Sequence, residues 1–125
     1  ADLVTMRNVR VVGATSHGFE VSVGTDVLLI GCTVENCDTD NYRINAARTR
    51  VIGNYGLSAG GNGITFTSSG DDSVATGNTI KDQTSNSVDV DTNGENCVVV
   101  GNKLDGAVVD NSGTSTVADN EETAF

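Results

Sequence analysis

One unit recurs along this chain, and its spacing limits the fold more than any single motif does. The segments Thr5-Met6-Arg7-Asn8, Leu29-Ile30-Gly31-Cys32, Val51-Ile52-Gly53-Asn54, Ala75-Thr76-Gly77-Asn78, Val99-Val100-Gly101-Asn102 and Val117-Ala118-Asp119-Asn120 share a form: apolar residues, then usually Gly, then usually Asn. Their last residues (8, 32, 54, 78, 102 and 120) lie 24, 22, 24, 24 and 18 positions apart. A nearly constant period in the low twenties predicts a solenoid, in which each repeat buries its apolar face against its neighbours. With 125 residues the chain holds about five such coils, read as a single domain over 1–125.

A second periodic feature lies between these units. Phe19-Glu20-Val21, Tyr42-Arg43-Ile44, Ile64-Thr65-Phe66, Val88-Asp89-Val90 and, less cleanly, Val108-Val109-Asp110 alternate at period 2, as half-buried strands do. Their apolar residues form the core face. The opposite face carries Glu20, Arg43, Thr65, Asp89 and Val109 as one row, with Ser22, Asn45, Thr67, Asp91 and Asn111 as the next. Each coil thus has two strands bent at a Gly-Asn corner, a polar turn and a third strand. Fifteen Gly, no Pro and no Trp suit strands and turns.

These features resemble the right-handed parallel β-helix repeats of the pectin-lyase-like superfamily, from Thr5 to Asn120. The resemblance implies an all-β solenoid of about five coils of 18–24 residues, with three short strands per coil. Gly suits the corner because it tolerates a left-handed backbone, and stacked Asn can pass amide hydrogen bonds along the axis. The expected ladder is Asn8, Asn54, Asn78, Asn102 and Asn120, with Cys32 interrupting it. Three cysteines, Cys32, Cys37 and Cys97, fit no zinc spacing and read as buried thiols.

Charge restricts the partners. Seven Lys+Arg against 17 Asp+Glu give a net charge of −10, which argues against nucleic acid and against an anionic membrane surface. No apolar run approaches a spanning helix. The chain starts at Ala1-Asp2, and both ends leave a coil unfinished, so a segment of a longer protein is expected, or one whose open ends are covered by other subunits or parent-chain domains; a homotrimer is one such assembly.

Candidate chemistry is sparse. Ser16-His17-Gly18 is similar to the His-Gly segment of polygalacturonases, and Tyr42-Arg43-Ile44-Asn45 to their Arg-Ile-Lys segment, with Asn45 in place of the lysine. That likeness implies a catalytic role for His17 and a uronate-binding role for Arg43. Asp40, Asn62 and Asn86 follow His17 at the equivalent position of later coils, which reads equally as a structural polar row. Asp89 and Asp91 share a face at about 6.5–7 Å between Cα atoms, a spacing compatible with a carboxylate pair for glycoside hydrolysis. Glu20 joins Arg43 as a candidate substrate contact, and the two are expected to form a cross-coil ion pair. Gly70-Asp71-Asp72 reads as a solvated turn.

No metal site or cofactor is expected, weak calcium binding at Asp38-Thr39-Asp40 being the one cation reading. Gly60-Gly61-Asn62-Gly63-Ile64-Thr65 is a single copy of a calcium nonapeptide with Thr where Asp belongs. The superfamily implies an extracellular or virion setting, such as a tail spike or fibre. The function expected is a non-catalytic structural or glycan-contacting module, with a segment of a polysaccharide hydrolase or lyase acting on acidic glycans as the alternative.

Overall fold

In the computed structural model, which describes residues 3–24 and 26–122, every strand pairing is parallel and joins one coil to the next. The first sheet stacks β1 (Val4–Arg7), β4 (Val27–Ile30), β7 (Arg50–Ile52), β10 (Val74–Thr76), β13 (Val98–Val100) and β16 (Thr116–Ala118). The second contains β2 (Arg10–Val12), β5 (Thr33–Cys37), β8 (Tyr55–Ala59), β11 (Thr79–Lys81) and β14 (Lys103–Leu104). The third contains β3 (Phe19–Val21), β6 (Tyr42–Ile44), β9 (Ile64–Phe66), β12 (Val88–Val90) and β15 (Val108–Asp110). This is a right-handed parallel β-helix of about five turns with three strands per coil.

The inward rows form one continuous core. Leu29, Val51, Ala75 and Val99 line it from the first sheet, and Val34, Ile80 and Leu104 from the second. Tyr42, Ile44, Ile64, Phe66, Val88 and Val90 fill it from the third. Each large side chain buried there contributes about 1.5–3 kcal/mol by leaving water. Phe19 and Tyr42 stack in consecutive coils, with ring centroids 5.6 Å apart and planes at 3°. The Tyr42 hydroxyl donates to Tyr55 O at 2.7 Å, with Cys32 O sharing the same proton at 3.1 Å, so its polar tip is satisfied inside the core.

A left-handed residue makes each of the three bends. At the first corner the column is Asn8, Gly31, Gly53, Gly77, Gly101 and Asp119, with φ between 55° and 69°. Gly is the main occupant because it has no Cβ to clash in that conformation. The second corner uses Gly13, Asn36, Ser58 and Asp82, and the third uses Asp26, Arg48, Asp72 and Asn96. Ser58 and Arg48, both at φ 54°, carry the strain of a side chain that seldom adopts this backbone.

This geometry corrects the expected position of Asn8. Arg7 pairs with Ile30, so Asn8 lies in the corner column beside Gly31, and Val9 stands beside Cys32. The first pairing step is therefore 23 residues, Val4 to Val27, in place of the 24 read from Asn8 to Cys32. Short backbone-bonding side chains favour the left-handed state, which is why Asn can take a glycine position.

The residues just past the corner form a repeating bond pattern. Asn78 Oδ1 accepts from the backbone N–H and the side-chain amide of Asn54, at 2.9 and 3.2 Å, while its Nδ2 donates to Val51 O at 2.8 Å. Asn102 bonds to Asn78 and Ala75 in the same way, and Asn120 to Asn102 and Val99. Asn54 Oδ1 accepts the Cys32 N–H at 2.8 Å. The Cys32 thiol in turn points at Met6 O, 3.5 Å away, the acceptor that an amide at this position would use.

All three cysteines are buried and unpaired. Cys97 continues another column, at the third corner. Ser73 Oγ accepts the Thr49 N–H at 3.0 Å, and Ser115 Oγ accepts the Cys97 N–H at 3.1 Å.

Replacing Cys32 with Asn should extend the amide column by one coil. We predict that Cys32→Asn leaves the melting temperature unchanged or raises it by up to about 5 °C in a calorimetric scan. A clear fall would show that this position does not accept the ladder geometry.

Candidate functional site

The outward face of the third sheet brings together most of the polar residues singled out in the sequence. Glu20, Arg43, Thr65, Asp89 and Val109 are direct cross-coil neighbours by register. Ser22, Asn45, Thr67, Asp91 and Asn111 follow two residues on in each coil. Along one border of the face runs the row His17, Asp40, Asn62 and Asn86, whose side chains hold successive coils in register. His17 Nδ1 accepts the Asp40 N–H at 3.3 Å, Asp40 Oδ1 accepts the Asn62 N–H at 2.8 Å, and Asn62 Oδ1 accepts the Asn86 N–H at 3.0 Å.

Asp40 is the hub of this border. It is buried, and its Oδ2 lies 3.4 Å from Arg43 Nη1 and 3.7 Å from His17 Nδ1. The Thr39 hydroxyl shares a 2.8 Å hydrogen bond with the same imidazole nitrogen. Arg43 thus turns back three residues to a carboxylate of its own coil, and the expected Glu20–Arg43 ion pair is not formed. Glu20 instead accepts from Asn45 Nδ2 at 3.0 Å. The buried carboxylate wins because its charge is less screened by water than that of exposed Glu20.

Asp89 and Asp91 stand further along the rod. Burial pushes the Asp89 carboxyl above the usual carboxylate range, and the negative charges of Asp91 and Asp40 add to the effect. Asn111 Nδ2 donates to Asp89 Oδ1 at 3.3 Å, while Asp91 is exposed. His17 belongs to the first coil and Asp89 to the fourth, a separation of about 14 Å at three coil spacings. The structure therefore groups His17 with Asp40 and Arg43, and keeps Asp89 and Asp91 as a distinct pair.

The remaining candidates occupy turns. Asp71 Oδ1 accepts the Glu95 N–H at 2.9 Å, and Asp72 is an exposed left-handed corner residue. Asp38 is exposed, while Asp40 is committed to Asn62 and Arg43. Among the described residues no three His, Cys, Asp or Glu side chains gather as they would around a metal ion. A shallow groove beside Asn36, Asp38, Ser58, Asp82 and Thr84 lies at the second corner, off the third-sheet face. Among the described residues no helix is long and apolar enough to cross a membrane.

The sequence reading missed the role of Asp40 as the shared partner of His17 and Arg43. The available signal was the i, i+3 spacing of Asp40 and Arg43 on one short turn and strand.

Comparison with known proteins agrees with this architecture. A family model described as a right-handed β-helix region matches residues 1–121, and the chain belongs to that family. No curated protein matches the chain, and no solved structure does.

The raised Asp89 value fixes the sign of a pH effect. The fold disfavours the charged form, so the carboxylate costs stability above its folded-state pKa, and the cost disappears as pH falls through that value. Asp89→Asn should raise the melting temperature at pH 7 by about 1–3 °C, with the gain vanishing near pH 4. Paired thermal melts across that range check the prediction, and an equal effect at both pH values would remove the electrostatic cause.

Proposed function

We propose that this chain is a structural β-helix module that presents its third-sheet face to glycans without cleaving them, in an extracellular or virion protein of tail-spike or fibre type. The observation that carries this reading is the use of His17, Asp40 and Arg43. Their polar groups hold one another and the adjacent coils, leaving a flat face of hydroxyls, amides and carboxylates. Loops are too short to wall a cleft. The longest connections between described strands have seven residues, from Thr67 to Ser73 and from Asp91 to Cys97. Such a surface suits extended contact along a polymer, and the carboxylates of Glu20, Asp89 and Asp91 favour a neutral glycan over a polyuronate. Exposed Leu3, Val4, Met6 and Val23 at one end of the rod suit coverage by a neighbouring domain or subunit.

A second reading has one observation in its favour, the elevated Asp89 carboxyl beside Asp91. Under it the chain is a segment of a polysaccharide hydrolase or lyase acting on acidic glycans. Asp89 serves as the acid, Asp91 as its partner, Arg43 as the uronate contact and His17 as an assisting group.

Titration with neutral oligosaccharides and with polygalacturonate, followed by amide NMR and by reducing-end and unsaturated-product assays, separates the two. The module reading predicts shifts at Ser22, Asn45, Asp91 and Asn111 with no product. Turnover abolished by Asp89→Asn or His17→Ala would establish the enzyme, and no shift on this face would sink the glycan contact.

A further inference from the structure

The outward side of the first sheet differs from the rest of this acidic molecule. Its two outward rows are Thr5, Leu28, Arg50, Val74, Val98 and Thr116, then Arg7, Ile30, Ile52, Thr76, Val100 and Ala118. Neither row contains a carboxylate, although the chain has 17 Asp+Glu. Leu28, Ile30, Ile52, Val74, Val98 and Val100 form a half-buried aliphatic strip, interrupted only by Arg50 and Thr76. The two arginines on this face, Arg7 and Arg50, are exposed. Among the described residues neither has an ion-pair partner in its own chain.

We infer that this face is a self-association surface, on which a second copy of the chain docks with its rod axis antiparallel. The argument is one of complementarity. Two sheets pack face to face about 10 Å apart, with strands roughly aligned. A two-fold axis along the strand direction keeps the position within a strand and reverses the order of the coils. The first coil then faces the sixth, the second the fifth and the third the fourth.

Leu28 meets the partner's Val98, Ile30 meets the partner's Val100, and Ile52 meets the partner's Thr76. Arg50 lies over the partner's Val74, two residues from the partner's exposed Asp72. Arg7 lies over the partner's Ala118, adjacent to the partner's Asp119. Both face arginines thus come beside a carboxylate at the rim of the opposing copy, and no arginine is in direct register with another, the two Arg50 residues lying one coil apart across the axis.

The parallel alternative, with the axis along the rod, places coil against like coil. It sets Arg50 over the partner's Ile52, which adjoins the corner residue Gly53. No carboxylate is within reach there, which is why the antiparallel pairing is preferred.

Area sets the size class of the contact. Six strands at about 4.8 Å make the face about 29 Å long, and two rows about 7 Å apart make it about 14 Å wide, so a pair covers on the order of 800 Å². That is below the roughly 1,200–2,000 Å² of stable complexes, so a weak, reversible dimer is expected.

Sedimentation velocity on the intact chain from about 1 μM to 1 mM tests the proposal. The expected result is a reversible monomer–dimer equilibrium in that range. Val98→Glu, an outward substitution, should shift it at least tenfold toward monomer with an unchanged circular dichroism spectrum. Arg50→Glu should also weaken it, and adding Asp72→Arg in the same chain should restore it, since the exchanged charges meet again across the axis. Arg48 shows that arginine fits the backbone of that corner column. A monomer at 1 mM, a trimer or an open-ended series, or a dimer indifferent to Val98→Glu would each overturn the proposal. Failure of Asp72→Arg to rescue Arg50→Glu would overturn the antiparallel pairing.

Discussion

Axial hydrogen bonding by side-chain amides just past the first corner is the interaction on which the rest of the structure depends. A sharp bend between two strands leaves a backbone N–H facing the interior, where an unpaired donor costs about 1–3 kcal/mol. In Asn54, Asn78 and Asn102 that donor meets the Oδ1 of the next coil, and the Nδ2 of the same side chain returns to a carbonyl of the coil before. One side chain therefore joins three coils. Once this column is in register, the strands that follow each corner have little freedom to slip, and the aliphatic rows stack without gaps.

A rod built in this way displays three faces, and their chemistry separates what the chain can do. The third face is polar and acidic, bordered by the His17–Asp40–Asn62–Asn86 row. The first is aliphatic with two arginines and no carboxylate. The second mixes Arg10, Lys81 and Lys103 with Glu35, and Arg10 bonds Glu35 at 2.8 Å. Much of the net charge of −10 thus lies away from the aliphatic strip, so two copies can approach there with less repulsion than elsewhere.

The third sheet was the most legible part of the sequence, because apolar and polar residues alternate cleanly in Phe19–Val21 and the next three equivalents. The fold followed from the Gly-Asn repeat for a similar reason: few backbones other than a tight corner require that pair at a fixed period. Register at the first coil was less legible. Asn8 carries the letter of the ladder but takes the conformation of the glycines, and only the pairing of Arg7 with Ile30 distinguishes the two. The outward face of the first sheet was hidden by unbroken apolar runs such as Val27-Leu28-Leu29-Ile30, in which inward and outward residues look alike. At the candidate site, the row containing Asp40 could be read from spacing. That Arg43 turns to Asp40 and not to Glu20 of the neighbouring coil depended on burial, which a linear sequence does not display.

The most direct measurement of the central claim is hydrogen exchange of the Asn side-chain amides, followed by NMR on the intact chain. If the amide column holds the coils together, the Nδ2 protons of Asn54, Asn78 and Asn102 exchange as slowly as the backbone amides of the buried strands. Exchange at the rate of a solvent-exposed asparagine, with the backbone still protected, would contradict the account.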